Sequence, residues 1–377
     1  MTFGTSEEQE ELRDSVKRFV TDRAPLSRVR QLMDAGEIDK EVWAQAGAQL
    51  GLQGIAIPEE YGGSGFTFAE QAIVLEELGA GLYGGPYLAS AVLAATALLA
   101  SPDEGARQEL LPGIASGETI AALAFTEEDG SWDPANIRLA AAKSGDGWVL
   151  DGHKSFVLDG ANATLFLVVA VADGGLSLFA VDAGASGLTA TALPTLDQTR
   201  NLSRLEFSAV PARLIGSAGD ATAILERVLD IAAIALAAEQ LGAAQHALDI
   251  TVDYTKTRHQ FGRPIGSFQA LKHRMADLLM EVESLRSAVA YAASAVAEDS
   301  DEVPALASLL KAYASETYFH VAAEMIQMHG GIGFTWEADV HWLYKRAQID
   351  AALLGGGKAH RARLARLVGG RLAGATA

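Results

Sequence analysis

Apolar residues recur at helical spacing from Thr5 to about Ser116. Thr5 or Ser6, followed by Glu7 and Glu8, is a suitable N-cap, and Leu12, Val16, Phe19 and Val20 then share one helix face. Pro58 to Gly65 reads as a loop, with a helix over Phe68 to Leu78 behind it. Gly62, Gly63 and Gly65 lack the strand-then-helix setting and the following Lys-Ser/Thr of a phosphate cradle, so they are turn residues. From Thr119 to about Gly216 the period falls to two. The spacing predicts strands at Ile120–Phe125, Ile137–Ala142, Trp148–Leu158, Leu165–Ala172, Leu176–Val181, Leu188–Thr191 and Leu202–Val210, parted by Gly, Asp, Asn and Pro clusters. So many short strands suggest a small barrel or sandwich.

From Asp220 to about Leu367 the helical period returns. Ala221 to about Arg258 reads as one helix without Pro, whose only glycine is Gly242 and whose alanines allow neighbours to approach closely. Met275–Glu298 and Val303–Met328 read as two more, the latter with Pro304 in its first turn. Helices, strands and helices give an α+β chain: an N-terminal helical domain over 1–117, a β-barrel or sandwich over 118–217 and a four-helix bundle over 218–377.

Charge and composition narrow the partners. A formal charge of −19 opposes binding to a phosphate backbone, so no nucleic acid is expected. The absence of cysteine excludes disulfides, thiolate chemistry and Cys-ligated metals. The N-terminus lacks the basic and apolar regions of a signal peptide, and the longest apolar run, Leu88 to Ala100, is too short to span a bilayer. A cytoplasmic protein without membrane insertion is expected.

The chemistry concentrates in two stretches. Arg258, Gln260 and Phe261 come where the long helix breaks into Gly262-Arg263-Pro264. An Arg there can offer several donors to a pyrophosphate, and Phe261 can supply a stacking surface. Gln327, His329, Gly330 and Gly331 end another helix, where glycine lets a ligand meet bare N–H groups. Taken singly, each is equally an Arg capping carbonyls or a Schellman-type glycine stop. Their combination is far more specific. R-x-Q-F-G-x-P-I-x-x-F-Q-x-x-x-H-x-x-A-D from Arg258 to Asp277, then Q-x-H-G-G-x-G-F from Gln327, resembles the acyl-CoA dehydrogenase family. The three-part layout is similar too, so the resemblance covers nearly the whole chain.

That resemblance implies FAD held between two subunits, with Arg258, Gln260, Phe261, Gln327, Gly330 and Gly331 gripping the pyrophosphate and adenosine of a neighbour's FAD. It implies an acyl-CoA substrate, an acceptor such as an electron-transferring flavoprotein, and no metal. Ala124-Phe125-Thr126-Glu127 resembles the strand whose Thr donates to the flavin ring, which places Thr126 in that role. In Gly152-His153-Lys154-Ser155-Phe156-Val157-Leu158, Phe156 takes the place of the aromatic wall, and Leu158 stands where a hydroxyl is usual.

The base is the departure. The implied reaction removes an α-proton from an acyl thioester while hydride leaves the β-carbon, and losing such a base costs roughly 10²–10⁴ in rate. The family's usual loop position falls on Leu354, and its alternative, early on the long helix, falls on Ala232. Glu239 is the remaining candidate, about 10 Å further along nearly the same helix face. An unpartnered carboxylate there would be costly, so it is a relocated base, a ligand for a polar substrate group, or half of a buried salt bridge. Asp230 is a weaker alternative, expected to face solvent. Three readings follow: a dehydrogenase with a displaced base acting on an unusual or bulky acyl group; a base-deficient subunit of a heterotetramer with a related chain; or an offshoot with oxidase or monooxygenase chemistry. His320 and Glu324 lack a third metal ligand, Gly355-Gly356-Gly357-Lys358 lacks P-loop spacing, and Trp336, Glu337 and His341 are expected to brace a helix turn.

Overall fold

Ser6 starts the first helix, α1 (Glu7–Arg23), with a complete capping box: its hydroxyl accepts the Gln9 N–H, and the Gln9 side chain accepts its own. Val16, Phe19 and Val20 are buried along one face, as the spacing predicts. The structure is a computed structural model describing residues 6–33 and 37–374, so Thr5, the alternative cap, lies outside the described residues. Then come α2 (Leu26–Met33), α3 (Lys40–Leu50) and α4 (Phe68–Ala80). A buried π-helical segment, Leu88–Ala94, runs into α5 (Ala95–Ala100), and α6 (Glu104–Ser116) follows.

Seven strands form one mixed sheet: β1 (Ala121–Ala124), β2 (Ala140–Ser144), β3 (Gly147–Leu158), β4 (Leu165–Ala172), β5 (Gly175–Asp182), β6 (Leu188–Leu193) and β7 (Leu202–Ile215). The pairings β4–β2, β2–β3, β3–β7, β7–β5 and β5–β4 close a ring, so the period-two region is a barrel. β1 lies parallel to β4 outside this ring, and β6 lies antiparallel to β7. β2 starts later than its apolar pattern suggests. Asp133 caps a 3-10 turn over Pro134–Asn136, and the N–H groups of Arg138 and Leu139 go to the Glu127 carboxylate instead of a ladder.

Helices fill the C-terminal part: α7 (Ala221–Thr257), α8 (Gln269–Ala297), α9 (Val303–His329), α10 (Val340–Ala352) and α11 (Gly357–Gly374). Two short strands, β8 (His259–Gln260) and β9 (Arg263–Pro264), make a hairpin between α7 and α8 that periodicity did not reveal. Its turn residues Phe261 and Gly262 have φ of +56° and +79°, as a two-residue type I′ turn requires. α9 packs against α8, α10 and α11.

Contacts divide the chain into two compact units. One comprises the described parts of Met1–Arg28, Phe68–Tyr83 and Ala233–Ala377; the other is Val29–Thr67 with Gly84–Ala232. In the first, α4 and α7 meet almost backbone to backbone. A Cβ on Gly242 would sit 1.7 Å from the Glu76 carbonyl oxygen, and one on Gly79 would sit 2.0 Å from that of Glu239. Among the described residues no helix is long and apolar enough to cross a membrane.

This contact yields a stability prediction. Gly242→Leu should destabilise the chain by about 3 kcal/mol, despite the roughly 1 kcal/mol that leaving glycine adds to helix propensity. Urea unfolding measures it, and an unchanged or higher midpoint would refute the close approach.

Candidate functional site

The helical unit carries the two motifs at neighbouring helix ends. The Arg258 N–H still bonds the Tyr254 carbonyl at 2.9 Å, after which the chain turns into the hairpin. Arg258 and Gln260 are exposed, and Phe261 at the tip is 91% exposed. Behind the tip, the Arg263 guanidinium lies 4.0 Å over the Phe268 ring, which Phe261 approaches edge-on. Gln327, Gly330 and Gly331 are exposed at the end of α9. Nothing lies within 4 Å of where a Cβ would stand on either glycine, so a ligand can reach the backbone there. The Gly330 N–H itself is not bare: it caps α9 through the Ile326 and Gln327 carbonyls. The Tyr254 hydroxyl donates to the His329 carbonyl at 3.3 Å, which brings the two motif ends side by side.

In the barrel unit, β3 carries a bulge. Lys154 pairs with Leu205 and Val157 with Ser203, so Ser155 and Phe156 together face Arg204. This kink puts Phe156 at φ +58° and turns its ring outward, 36% exposed, beside Gly130. Thr126 is buried, and its hydroxyl donates to the Ser155 carbonyl at 2.5 Å; the Ser155 N–H returns a bond to the Thr126 carbonyl. That hydroxyl proton is therefore engaged within the protein. Leu158 is buried opposite Leu202 and brings no hydroxyl.

Lys154 pins this corner in a way the sequence did not reveal. Its ammonium, wholly buried, donates to Glu127 at 2.8 Å and to the Phe125 carbonyl at 3.2 Å. Burial pushes Lys154 down to about 8, against the opposing hydrogen bond and charge of Glu127. Burial would raise the Glu127 carboxyl, but bonds from Lys154, Leu139 and Arg138 hold it below the usual carboxylate range.

Neither usual base position offers a proton acceptor. Ala232 is completely buried, and Leu354 is a buried residue just past α10, at φ +58°. Glu239 is buried in α7, and its Oε1 accepts from Arg346 Nη1 at 2.6 Å; the two side chains are 10% and 2% exposed. Of the three roles open to Glu239, the salt bridge is the one with a partner in place. Asp230, expected to face solvent, is 5% exposed. Arg346 lies beyond both motifs, where neither pattern marks it. Its signal is the i, i+4 spacing to Asp350, both on a buried face of α10.

Around this pair the bundle holds further buried polar groups. Lys311 donates to Ser315 at 3.0 Å and to the Ala351 carbonyl at 3.3 Å, and Gln240 donates to Ser315 at 3.3 Å. Burial lowers Lys311 to about 8, with Asp350 opposing. His320 pairs with Glu281 and Glu324 with Arg274; among the described residues no cluster of three or more acidic or His ligands could hold a metal. Trp336 packs edge-on against His341 and Trp342 before α10.

Comparison with known proteins gives a consistent result. Models of the acyl-CoA dehydrogenase N-terminal, middle and C-terminal domains match residues 6–118, 122–210 and 221–369. Acyl-CoA dehydrogenase IpdE2 of Mycolicibacterium smegmatis is 38% identical over 93% of this chain and 95% of its own. Among solved structures, the ChsE4-ChsE5 complex from Mycobacterium tuberculosis superposes with TM-score 0.89 at 32% identity, covering 98% of this chain and 99% of that one. A variant of the Tcur3481-Tcur3483 steroid ACAD gives 0.87 at 35%, covering 97% and 99%.

Two predictions follow from the buried charges. Arg346→Met leaves Glu239 without this countercharge and should cost about 3–5 kcal/mol. Adding Glu239→Gln should recover most of that loss in chemical denaturation; two additive losses would show that the pair does not couple. For Lys154, the unfolded chain keeps its proton up to the ordinary lysine range while the folded chain releases it near 8, so this group favours folding more as pH rises between them. The stability of the native chain relative to Lys154→Met should therefore grow by at most roughly 3 kcal/mol across that window. A flat difference in urea melts against pH would exclude a buried ammonium.

Proposed function

Because the chain belongs to the acyl-CoA dehydrogenase family, oxidoreductases acting on CH–CH donors, we propose that it is the base-deficient subunit of a heteromeric acyl-CoA dehydrogenase and completes the FAD site of a related chain. The observation carrying this is the Glu239–Arg346 pair: the carboxylate left after Ala232 and Leu354 is turned onto a guanidinium. That two chains are named in the ChsE4-ChsE5 complex and in the Tcur3481-Tcur3483 steroid ACAD supports a related chain as partner. The latter description also favours a bulky acyl group as the substrate class. Electrons would pass to an acceptor such as an electron-transferring flavoprotein.

The residues suit the dinucleotide half of such a site. Arg258 offers a guanidinium to a pyrophosphate, Gln260 and Gln327 offer exposed amides, and the turn at Gly330 and Gly331 leaves room for phosphate beside the backbone. Phe261 presents an apolar ring at a hairpin tip, outside its own core. FAD, when bound, supplies the hydride acceptor. Removal of the α-proton falls to a carboxylate of the partner chain.

A second reading, a homo-oligomer with its own flavin, is favoured by the outward-turned Phe156 beside Thr126. Purification decides between them. Alone, the chain should be colourless and turn over acyl-CoA at least about 10²-fold more slowly, with an artificial acceptor, than when mixed with a related chain that carries the base. A yellow chain with about one FAD per subunit, whose turnover collapses in Glu239→Gln, would overturn the proposal. Arg258→Ala should strip flavin from the assembly while circular dichroism stays unchanged.

A further inference from the structure

Two gripping segments can serve one ligand only if the distance between them is fixed, to about 0.5 Å for a preorganised site. Arg258 follows a helix end and precedes an exposed hairpin, and Gly330 and Gly331 open a short 3-10 turn, so each segment is held mainly by its own local bonds. The link between them is Tyr254 with His329. Tyr254 lies one turn before Arg258 and holds its N–H; His329 directly precedes Gly330. Their rings stack at 4.2 Å between centroids with 22° between planes, and the phenol donates to the His329 carbonyl at 3.3 Å. The imidazole is buried, and its Nδ1–H donates to the Met325 carbonyl at 2.8 Å, which fixes the ring on the last turn of α9.

We infer that Tyr254 and His329 are positioning residues that set the Arg258–Phe261 segment against the Gln327–Gly331 turn, so that both meet the same pyrophosphate-bearing ligand. This rests on the FAD reading of those two segments. It assigns to Tyr254 and His329 no contact with ligand.

The test uses the FAD-loaded oligomer, whether its neighbour is a second copy or a related chain. Tyr254→Leu removes stack and hydroxyl together and should raise the FAD dissociation constant about tenfold, with an unchanged circular dichroism spectrum. Tyr254→Phe keeps the stack and should stay within about threefold of the native chain. His329→Asn keeps a donor near the Nδ1 position for the Met325 carbonyl but loses the ring, so it should behave like Tyr254→Leu and carries the test alone if Tyr254→Leu fails to fold. Arg258→Ala is the control for the underlying reading. Native FAD affinity in Tyr254→Leu and His329→Asn, with flavin lost in Arg258→Ala, would overturn the positioning role. Native affinity in Arg258→Ala would instead remove the FAD reading itself.

Discussion

A carboxylate placed within an alanine-lined helix has to find a countercharge, and in this protein that requirement organises the bundle. α7 carries Glu239 among Ala235, Ala237, Ala238 and Leu241, all buried. Small side chains let α4 approach from one side, and they also leave Glu239 with almost no water to share. Arg346 answers it from α10, with Asp350 one turn further along and Lys311 across on α9. The same electrostatic need ties α7 to α10 and engages Glu239 Oε1 with a guanidinium.

Much of this architecture was legible because it rests on local periodicity. Most strands fall near the apolar segments between Thr119 and Gly216, β2 being shifted later, and α7, α9 and their flanks fall where the period is 3.6. What stayed hidden depends on distant or irregular pairing. Arg346 lies 107 positions from Glu239, and no spacing rule spans that interval. The hairpin after α7 has Phe-Gly where such turns usually show Asn-Gly or Asp-Gly, so its signature was absent. The bulge at Ser155 and Phe156 depends on how β3 pairs with β7, and β3, whose residues do not alternate evenly, gives no local mark of it. The motif residues themselves were legible as a pattern, whereas the engagement of the Gly330 N–H and the Thr126 hydroxyl was not.

Three of the left-handed side chains stand at these places. Phe156, Phe261 and Leu354 all adopt left-handed φ, a conformation that disfavours side chains by about 1–2 kcal/mol each. Each is held by regular structure on at least one side: the bulge within β3, the hairpin strands, and the end of α10. The Lys154–Glu127 pair has a comparable part in the barrel, since it fixes Phe125 and the start of β2 around Thr126. A rigid scaffold thus carries a few residues in conformations they would not choose alone.

The closed ring of strands also sets the order in which the chain can mature. β1 pairs in parallel with β4, and the ring closes only when β7 has met both β3 and β5. Such non-local pairings raise contact order and slow folding, whereas helix hairpins such as α8 with α9 form from near neighbours. On the ribosome, β1 emerges roughly forty residues ahead of its partner and must remain soluble until then. The barrel therefore stays open until β7, the last of its strands in the chain, is in place.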